Sequence, residues 1–327
     1  RQIYVNDGFI QLQVESVAGK TVHCRVLVGG ELRSFKGVNF PGINLGISAF
    51  TDRDLEFLKF AAKQGLDAVS QSFVQRAEDI EAVRKAAKAL DYHPFIIAKI
   101  ERAQALDNLE CILEVSDGIM VARGDLGVEI PIEKMAITQK NIIRQANIFG
   151  KPVITATHML ESMVVHPRPT RAEATDVANA ILDGTDCVML SGETAMGGFP
   201  VEAVHMMACI AREIEPHVSV PDVARLLHSA KDSGEISKPD LISLSIFLTV
   251  EAVNIVAVMS PSLSGATARR VARFRLPVWI IAVSPNEAAC QGLQFSYGVY
   301  DVHERERPES WHMYARAWFQ ELSLIHI

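Results

Sequence analysis

The chain has 327 residues, of which 49% are hydrophobic, and carries a net charge of −7. This length suffices for one large domain and part of a second, or for two of ordinary size. The acidic balance, without any block of Lys and Arg, excludes the pattern of a nucleic-acid-binding protein. Five scattered cysteines without a Cys-x-x-Cys pair indicate reduced thiols in a cytoplasmic protein. Polar residues interrupt the most apolar stretch, 241–259, so we expect no membrane span.

The first 48 residues predict a small β-rich unit, because alternating segments are separated by turn signals such as Gly29-Gly30. From Thr51 onwards the residue pattern becomes that of a helix. This residue is followed three positions later by Asp54, which predicts a capped helix that Gly65 can end.

Beyond this helix, short apolar runs alternate with helical patterns. Such alternation predicts parallel βα units. A capping box of Thr170 and Glu173 opens one of the helices, and Gly184 ends it. The apolar runs are residues 68–70, 95–100, 118–122, 152–156 and 187–190.

Polar or charged residues follow every one of these runs. Chemistry at the carboxyl ends of many strands favours a (β/α)8 barrel, whereas an open doubly wound sheet concentrates it at one switch point. Only five strands are visible and a closed barrel needs eight. Either three strands precede residue 1 or the barrel is not closed; we expect a chain that is incomplete at both ends.

A second α/β domain is predicted after residues 216–240, a polar passage that contains three prolines. Its expected elements are a helix over 240–253, a strand over 255–259, a helix near 267–274, and strands over 278–283 and 299–303.

The strongest candidate site comprises Lys99, Glu101 and Asp125. Alternate side chains of a strand share a face, so Lys99 and Glu101 point the same way. Glu101 and Asp125, from adjacent strands, can coordinate Mg²⁺ or Mn²⁺ and leave positions open for substrate oxygens. Lys99 then faces the bound anion. The alternative is a buried ion pair, which would add little to stability.

Other strand ends supply weaker candidates. Gly124 allows close approach of backbone to a ligand, although a simple turn glycine is the alternative. Thr157 can bind a carboxylate or anchor a water, although an ordinary strand threonine explains it too. For Ser191 and Glu193, too, both a functional and an ordinary structural interpretation are possible. Ser72 is a further candidate for substrate binding.

The loop 260–267 of the second domain is rich in hydroxyl groups. Ser262, Ser264 and Thr267, with helix amides, could form a phosphate-sized cradle. A plain capping loop explains the same residues, and the two interpretations stay equal at this point.

Several runs in fixed order resemble the pyruvate kinase family, and the resemblance extends from about residue 1 to residue 300. The runs are residues 97–101, 118–131, 152–157, 159–163, 167–173, 176–180 and 188–194.

This resemblance implies three parts. Residues 1–48 would be the later part of a β-rich lid domain, 49–218 the later strands of the catalytic barrel, and 219–327 an incomplete C-terminal α/β domain. The lid's beginning and three barrel strands would lie before residue 1.

The resemblance also implies roles. Lys99 would stabilise the phosphoryl group in transfer, and Glu101 and Asp125 would hold Mg²⁺. The backbone of Gly124 and Asp125, with the Thr157 side chain, would bind the substrate carboxylate. Ser191 would belong to the network that protonates the enol.

The implied reaction transfers the phosphoryl group of phosphoenolpyruvate to ADP in glycolysis, in a cytoplasmic homotetramer. K⁺ is implied too, with ligands before residue 1, and residues 262–267 would be an effector loop. The alternatives are a metal-dependent aldolase or lyase on a related barrel, and an inactive fragment. We expect the 327 residues alone to turn over poorly and the complete protein to be active.

Overall fold

The fold is given by a computed structural model, which divides the chain into two compact units, Arg1–Ser219 and Val220–Ile327. Most of the predicted polar passage at 216–240 lies outside the described residues. Those residues are 1–6, 8–32, 34, 36–43, 46, 48–218, 224, 227 and 236–324, with side chains described up to residue 320.

An antiparallel sheet opens the first unit. Its strands are β1 (Gln2–Val5), β2 (Ile10–Ala18), β3 (Thr21–Val28) and β4 (Val38–Asn39), in the order β3-β2-β1-β4. The predicted β-rich unit is therefore present as a sheet. Its last strand ends in a buried side chain, Asn39.

The first helix, α1 (Asp52–Gln64), has the predicted caps. The Asp54 amide donates to Thr51 Oγ1 at 3.3 Å, and the Thr51 amide donates to Asp54 Oδ2 at 2.8 Å. Gly65 ends the helix in the left-handed conformation with φ of 64°. This reciprocal pair satisfies two helix-terminal amides that would otherwise lack partners.

A five-stranded parallel sheet is the centre of this unit, and its strands lie side by side in chain order. Consecutive parallel strands joined through helices build part of a (β/α)8 barrel. The prediction of parallel βα units is confirmed, although the fifth strand stops one residue early, at Met189. The strands are β5 (Ala68–Gln71), β6 (Phe95–Ile100), β7 (Gly118–Ala122), β8 (Val153–Ala156) and β9 (Cys187–Met189).

Helices cover one face of this sheet. Ile96, Ile100 and Ile119 of the strands are fully buried in one core with Ile112 and Ile143 of the helices. The helices are α2 (Ala77–Ala89), α3 (Ala103–Asp107), α4 (Leu109–Val115), α5 (Arg123–Glu129), α6 (Met135–Phe149), α7 (Arg171–Leu182), α8 (Gly192–Ala195) and α9 (Pro200–Ile214). Short 3-10 turns span Ile132–Lys134, Glu161–Val164 and Glu215–His217.

The second unit contains a smaller parallel sheet in the order β10-β11-β12. Its strands are β10 (Ala257–Pro261), β11 (Trp279–Ser284) and β12 (Val299–His303), and its helices are α10 (Lys238–Ala252), α11 (Ala266–Ala272), α12 (Glu287–Leu293) and α13 (Trp311–Leu324).

Two sequence expectations for this unit differ from the structure. β10 begins two residues later than the predicted strand 255–259, because Val256 is an exposed residue of the connection and not part of the strand. Helices α12 and α13 were not expected from the pattern.

An ion pair anchors α10 to α11. The Arg273 guanidinium, 3% exposed, donates to Asp240 Oδ1 at 2.7 Å and to Ser243 Oγ at 3.1 Å. Phe247 and Phe274 stack beside it with ring centroids 5.0 Å apart. Within the part of the chain that the structure describes, no helix is long and apolar enough to cross a membrane.

Candidate active site at the strand ends

Lys99 and Glu101 meet at the carboxyl end of β6. Lys99 Nζ lies 2.6 Å from Glu101 Oε1 and donates to Ser72 Oγ, just after β5, at 2.9 Å. The Lys99 side chain is 24% exposed, whereas that of Glu101 is 1% exposed. The ammonium therefore reaches open space while two neighbours hold it in place.

The backbone after β5 fixes the Glu101 carboxylate. The Phe73 amide donates to Glu101 Oε2 at 2.7 Å, and Phe73 has a left-handed φ of 56°. Burial raises the pKa of Glu101 above its ordinary value; Lys99 and the Phe73 amide oppose this, and the charge of Asp125 adds to it. A positive charge is thus favoured beside this carboxylate.

Asp125 lies in the first turn of α5, directly after β7. Its Oδ1 accepts a long hydrogen bond of 3.5 Å from Asn39 Nδ2. Among the described residues no group of three or more His, Cys, Asp or Glu side chains is placed to hold a metal. Mg²⁺, however, is commonly held by one or two carboxylates, with water and substrate as the other ligands. Glu101 and Asp125 fit that donor set.

Gly124 and Thr157 join the ends of β7 and β8. The Gly124 amide donates to Thr157 Oγ1 at 2.8 Å. Thr157 and His158 both have left-handed φ values, of 66° and 52°, which are rare outside glycine. A side-chain carbon at Gly124 would meet only ordinary contacts, the nearest at 3.6 Å. A side chain would therefore fit at Gly124, and packing alone does not require a glycine there.

Ser191 and Glu193 follow β9. Glu193 is fully buried, and its two oxygens accept the amides of Leu160 at 3.0 Å and Ser191 at 2.7 Å. Ser191 Oγ is buried and has no hydrogen-bond partner among the residues described. The geometry thus assigns Glu193 a bridging function between two strand-end loops and leaves the Ser191 hydroxyl available.

Three further charged residues line this edge and were given no function by sequence reasoning. Arg123 is buried and contacts the backbone after β8. Arg102 lies over the Phe73 ring, at 5.3 Å, and pairs with buried Glu129 at 3.5 Å. Burial is the main cause that raises the pKa of Glu129. The available signal was position, because Arg102 and Arg123 follow the strands β6 and β7, while Glu129 stands among apolar residues.

The loop after β10 lies in the second unit. The Ser262 amide donates to Val283 O at 2.9 Å, and Arg269 donates to Ser264 O at 2.8 Å. Gly265 has a φ of 73°, and a side-chain carbon there would lie 2.9 Å from Leu293. Thr267 falls in the first turn of α11. The loop brings the three predicted hydroxyl residues to one end of a helix.

The fold and this edge define an enzyme class built on a parallel βα barrel with polar groups at its strand ends. The family model for the pyruvate kinase barrel domain matches residues 1–204, and that for the pyruvate kinase alpha/beta domain matches residues 240–323. The chain therefore belongs to the pyruvate kinase family.

Curated relatives agree with this assignment. The chain is 48% identical over 300 residues to Pyruvate kinase 2 of Synechocystis sp., covering 91% of the chain and 50% of the relative. It is 47% identical over 301 residues to Pyruvate kinase of Thermococcus litoralis, covering 91% and 63%. For Pyruvate kinase of Clostridium acetobutylicum the identity is 44% over 301 residues, with 92% and 63% covered. The chain thus spans half to just under two thirds of these relatives.

Proposed function

We propose that the protein with this sequence is a pyruvate kinase, which transfers the phosphoryl group of phosphoenolpyruvate to ADP and yields pyruvate and ATP in glycolysis. The observation that carries the proposal is the Lys99 ammonium, held between Ser72 and Glu101 at the edge where Asp125 also lies. Family membership supports the same reaction.

Lys99 neutralises the phosphoryl group in flight. Phosphoryl transfer is catalysed chiefly by positioning and charge neutralisation. The contacts to Ser72 and Glu101 orient the ammonium before substrate arrives, so little reorganisation accompanies the reaction. Ser72 is proposed to contact the substrate through the same hydroxyl.

The substrate carboxylate binds where β7 and β8 end. The amides of Gly124 and Asp125 and the Thr157 hydroxyl face this region in our proposal. In the structure the Gly124 amide donates to Thr157 Oγ1. The Thr157 hydroxyl in turn donates to Ala156 O at 2.7 Å. A bound carboxylate would accept from both groups, which replaces these two internal hydrogen bonds by two charge-assisted ones to an anion.

Glu101 and Asp125 hold the divalent cation, Mg²⁺ or Mn²⁺. When bound, the ion would supply positive charge to the phosphoryl oxygens and the enolate. We also propose a requirement for K⁺, on family resemblance alone, and assign it none of the residues described.

Ser191 belongs to the path that protonates the enol carbon. Its buried hydroxyl is without a partner among the described residues and can therefore pass a proton through a bound water. The loop with Ser262, Ser264 and Thr267 is proposed as an effector phosphate site, and the protein as a cytoplasmic homotetramer.

The assigned function of Lys99 is tested by Lys99→Met. We expect kcat for pyruvate formation from phosphoenolpyruvate and ADP to fall by about 10³-fold, because an oriented charge at the reacting group is lost. The assay couples pyruvate to a dehydrogenase and is run on the complete polypeptide encoded by the gene and on the 327 residues.

Lys59→Met is the matched control, since Lys59 is exposed on α1. A small effect of Lys99→Met would refute the assigned function. Turnover of a lyase substrate in place of the kinase reaction would favour the alternative enzyme class, and robust turnover by the 327 residues would refute the expected inactivity of this segment.

The metal ligands are tested by direct Mn²⁺ titration, followed by electron paramagnetic resonance of the free ion. Glu101→Gln and Asp125→Asn should each weaken binding by at least about tenfold, because each removes one of two carboxylate ligands. Glu78→Gln, at an exposed site on α2, should bind Mn²⁺ as the unsubstituted chain does. Equal affinity in all four proteins would place the ion elsewhere.

A further inference from the structure

The Arg123 guanidinium, at the strand-end edge, donates hydrogen bonds to both backbone and side-chain acceptors. It is the first residue of α5 and is 8% exposed. Its Nη2 donates to Thr157 O at 2.6 Å, and its Nε donates to Ala156 O at 3.2 Å and to Thr157 O at 3.1 Å. The guanidinium is therefore hydrogen-bonded to the last carbonyl of β8 and to the next carbonyl along the chain.

The other side of the guanidinium is held by two helices. Arg123 Nη1 lies 2.5 Å from Asp176 Oδ2 on α7 and 3.4 Å from Gln139 Oε1 on α6. Asp176 is 39% exposed, so the ion pair is only partly removed from water. The arginine thus connects α6 and α7 with the end of β8.

The backbone to which Arg123 is hydrogen-bonded has an unusual conformation. Both Thr157 and His158 lie in the left-handed region, which costs energy for residues other than glycine and persists only where surrounding contacts enforce it. The Thr157 hydroxyl meets the amide of Gly124, the residue directly after Arg123. Arg123 and Gly124 thus fix the carbonyl and the hydroxyl of the same threonine.

We propose that Arg123 is a positioning residue for phosphoenolpyruvate, which acts by holding the left-handed turn at Thr157 so that Thr157 Oγ1 faces the substrate carboxylate. This inference rests on the proposed function, which assigns that carboxylate to Thr157. A lysine at 123 could keep the charge opposite Asp176, but it could not bridge two carbonyls and a carboxylate with one planar fork.

The test is Arg123→Lys in the complete polypeptide. We expect kcat/KM for phosphoenolpyruvate to fall by about 10²-fold, since small misplacement of a binding group has that effect. The KM for ADP should stay unchanged, because the proposed function assigns Thr157 to phosphoenolpyruvate alone. If Arg123 only stabilised the fold, Arg123→Lys would lower the fraction of active protein and would not change the KM for one substrate alone.

A double-mutant cycle with Thr157→Ala gives the decisive measurement. If Arg123 acts through Thr157, Arg123→Lys causes no further loss once the threonine side chain is removed. Multiplicative losses would overturn the inference, as would wild-type kinetics of Arg123→Lys. Arg84→Lys is the matched control, because Arg84 also bridges a carbonyl, of Val115, and a carboxylate, of Asp117.

Asp176→Asn covers the case in which Arg123→Lys does not fold. It keeps a hydrogen-bond acceptor at a half-exposed site and removes the charge. We expect a smaller rise in the KM for phosphoenolpyruvate with the same KM for ADP; no change would overturn the inference. Absence of turnover by the unsubstituted protein would refute the proposed function itself, which separates the two failures.

Discussion

Glu193 shows how one buried carboxylate can join two loops that the chain separates. Its oxygens accept the amides of Leu160 and Ser191, which follow β8 and β9. A buried charge is tolerated only when hydrogen bonds replace its lost hydration. Both partners of Glu193 are backbone N–H donors, so the side chain at this position must offer two acceptor oxygens.

Glu193→Gln tests this requirement. The amide group would turn a donor toward one backbone N–H, and we expect the first unit to lose on the order of 2 kcal/mol of stability. Hydrogen exchange at the Leu160 and Ser191 amides should accelerate. Glu213→Gln, at an exposed position of α9, should leave both rates unchanged. Unaltered exchange in Glu193→Gln would contradict the bridging function.

For single residues, the sequence predicts the relative position of side chains that belong to the same strand. Strand alternation placed Lys99 and Glu101 on one face, and they are 2.6 Å apart. The same reasoning could not predict what Arg123 does. Its partner Asp176 is 53 residues away, and the turn at Thr157 has a backbone conformation that no local pattern signals.

Helix α7 begins with a more elaborate cap than the Thr170–Glu173 pattern indicates. Glu173 accepts from the Thr170 amide at 2.7 Å and also from the amide and hydroxyl of Ser162, at 2.7 and 2.5 Å. Burial acts to raise the pKa of Glu173, but these hydrogen bonds outweigh it, so the pKa lies below its ordinary value of 4.5. The cap thus ties α7 to the 3-10 turn Glu161–Val164.

This lowered pKa predicts an acid dependence of stability. The ionised carboxylate stabilises the fold at pH values above the ordinary pKa of glutamate, and that contribution is lost as the pH falls through the lowered pKa of the folded state. The urea midpoint of the unsubstituted chain should exceed that of Glu173→Gln at neutral pH. The gap should narrow as the pH falls below the ordinary pKa of glutamate.

Glu202→Gln provides the comparison, because Glu202 is an exposed glutamate in the first turn of α9. Its effect at neutral pH should be much smaller. A gap for Glu173→Gln that stays constant on acidification would show that the cap does not depend on the charge.

Elements with chemical end signals were the predictable ones. Thr51 and Thr170 start helices as expected, and both capping boxes are confirmed. Helix α10 was predicted over 240–253 and spans Lys238–Ala252, whereas the exposed Val256 beyond it was wrongly included in a strand. Local patterns do not report which apolar residues tertiary packing leaves exposed.

The whole molecule contains two units with separate sheets and cores. Asp240 belongs to the second alone, where it faces Arg273 at 2.7 Å and Arg270 at 3.8 Å. Its own burial acts to raise its pKa, but Ser237 and the arginines lower it overall. Removal of this carboxylate should therefore affect one unit.

Asp240→Ala tests this independence by hydrogen exchange with mass spectrometry. We expect the second unit to lose on the order of 3 kcal/mol, because a buried guanidinium loses its carboxylate. Protection should fall in β10–β12 and stay unchanged in β5–β9. Glu251→Ala, at an exposed position of the same helix, should leave both sheets protected. Equal loss of protection in β5–β9 would contradict separate stability of the units.

The alternation of strands and helices was enough to predict parallel βα units in both parts of the chain. The domain boundaries at 48 and 218 remain predictions. A boundary depends on contacts that are distant in sequence, and composition shifts report these only indirectly.

The sequential order of β5 to β9 has a consequence for engineering. Each strand delivers its own polar group to the common edge from a separate βα unit, so the groups are encoded in short segments far apart in the chain. Randomising the loop after β9 would alter Ser191 while the Lys99–Glu101 pair keeps its scaffold. A combinatorial library of this loop that keeps Glu193, which also accepts the Leu160 amide, could therefore vary one strand end and retain the Lys99–Glu101 pair.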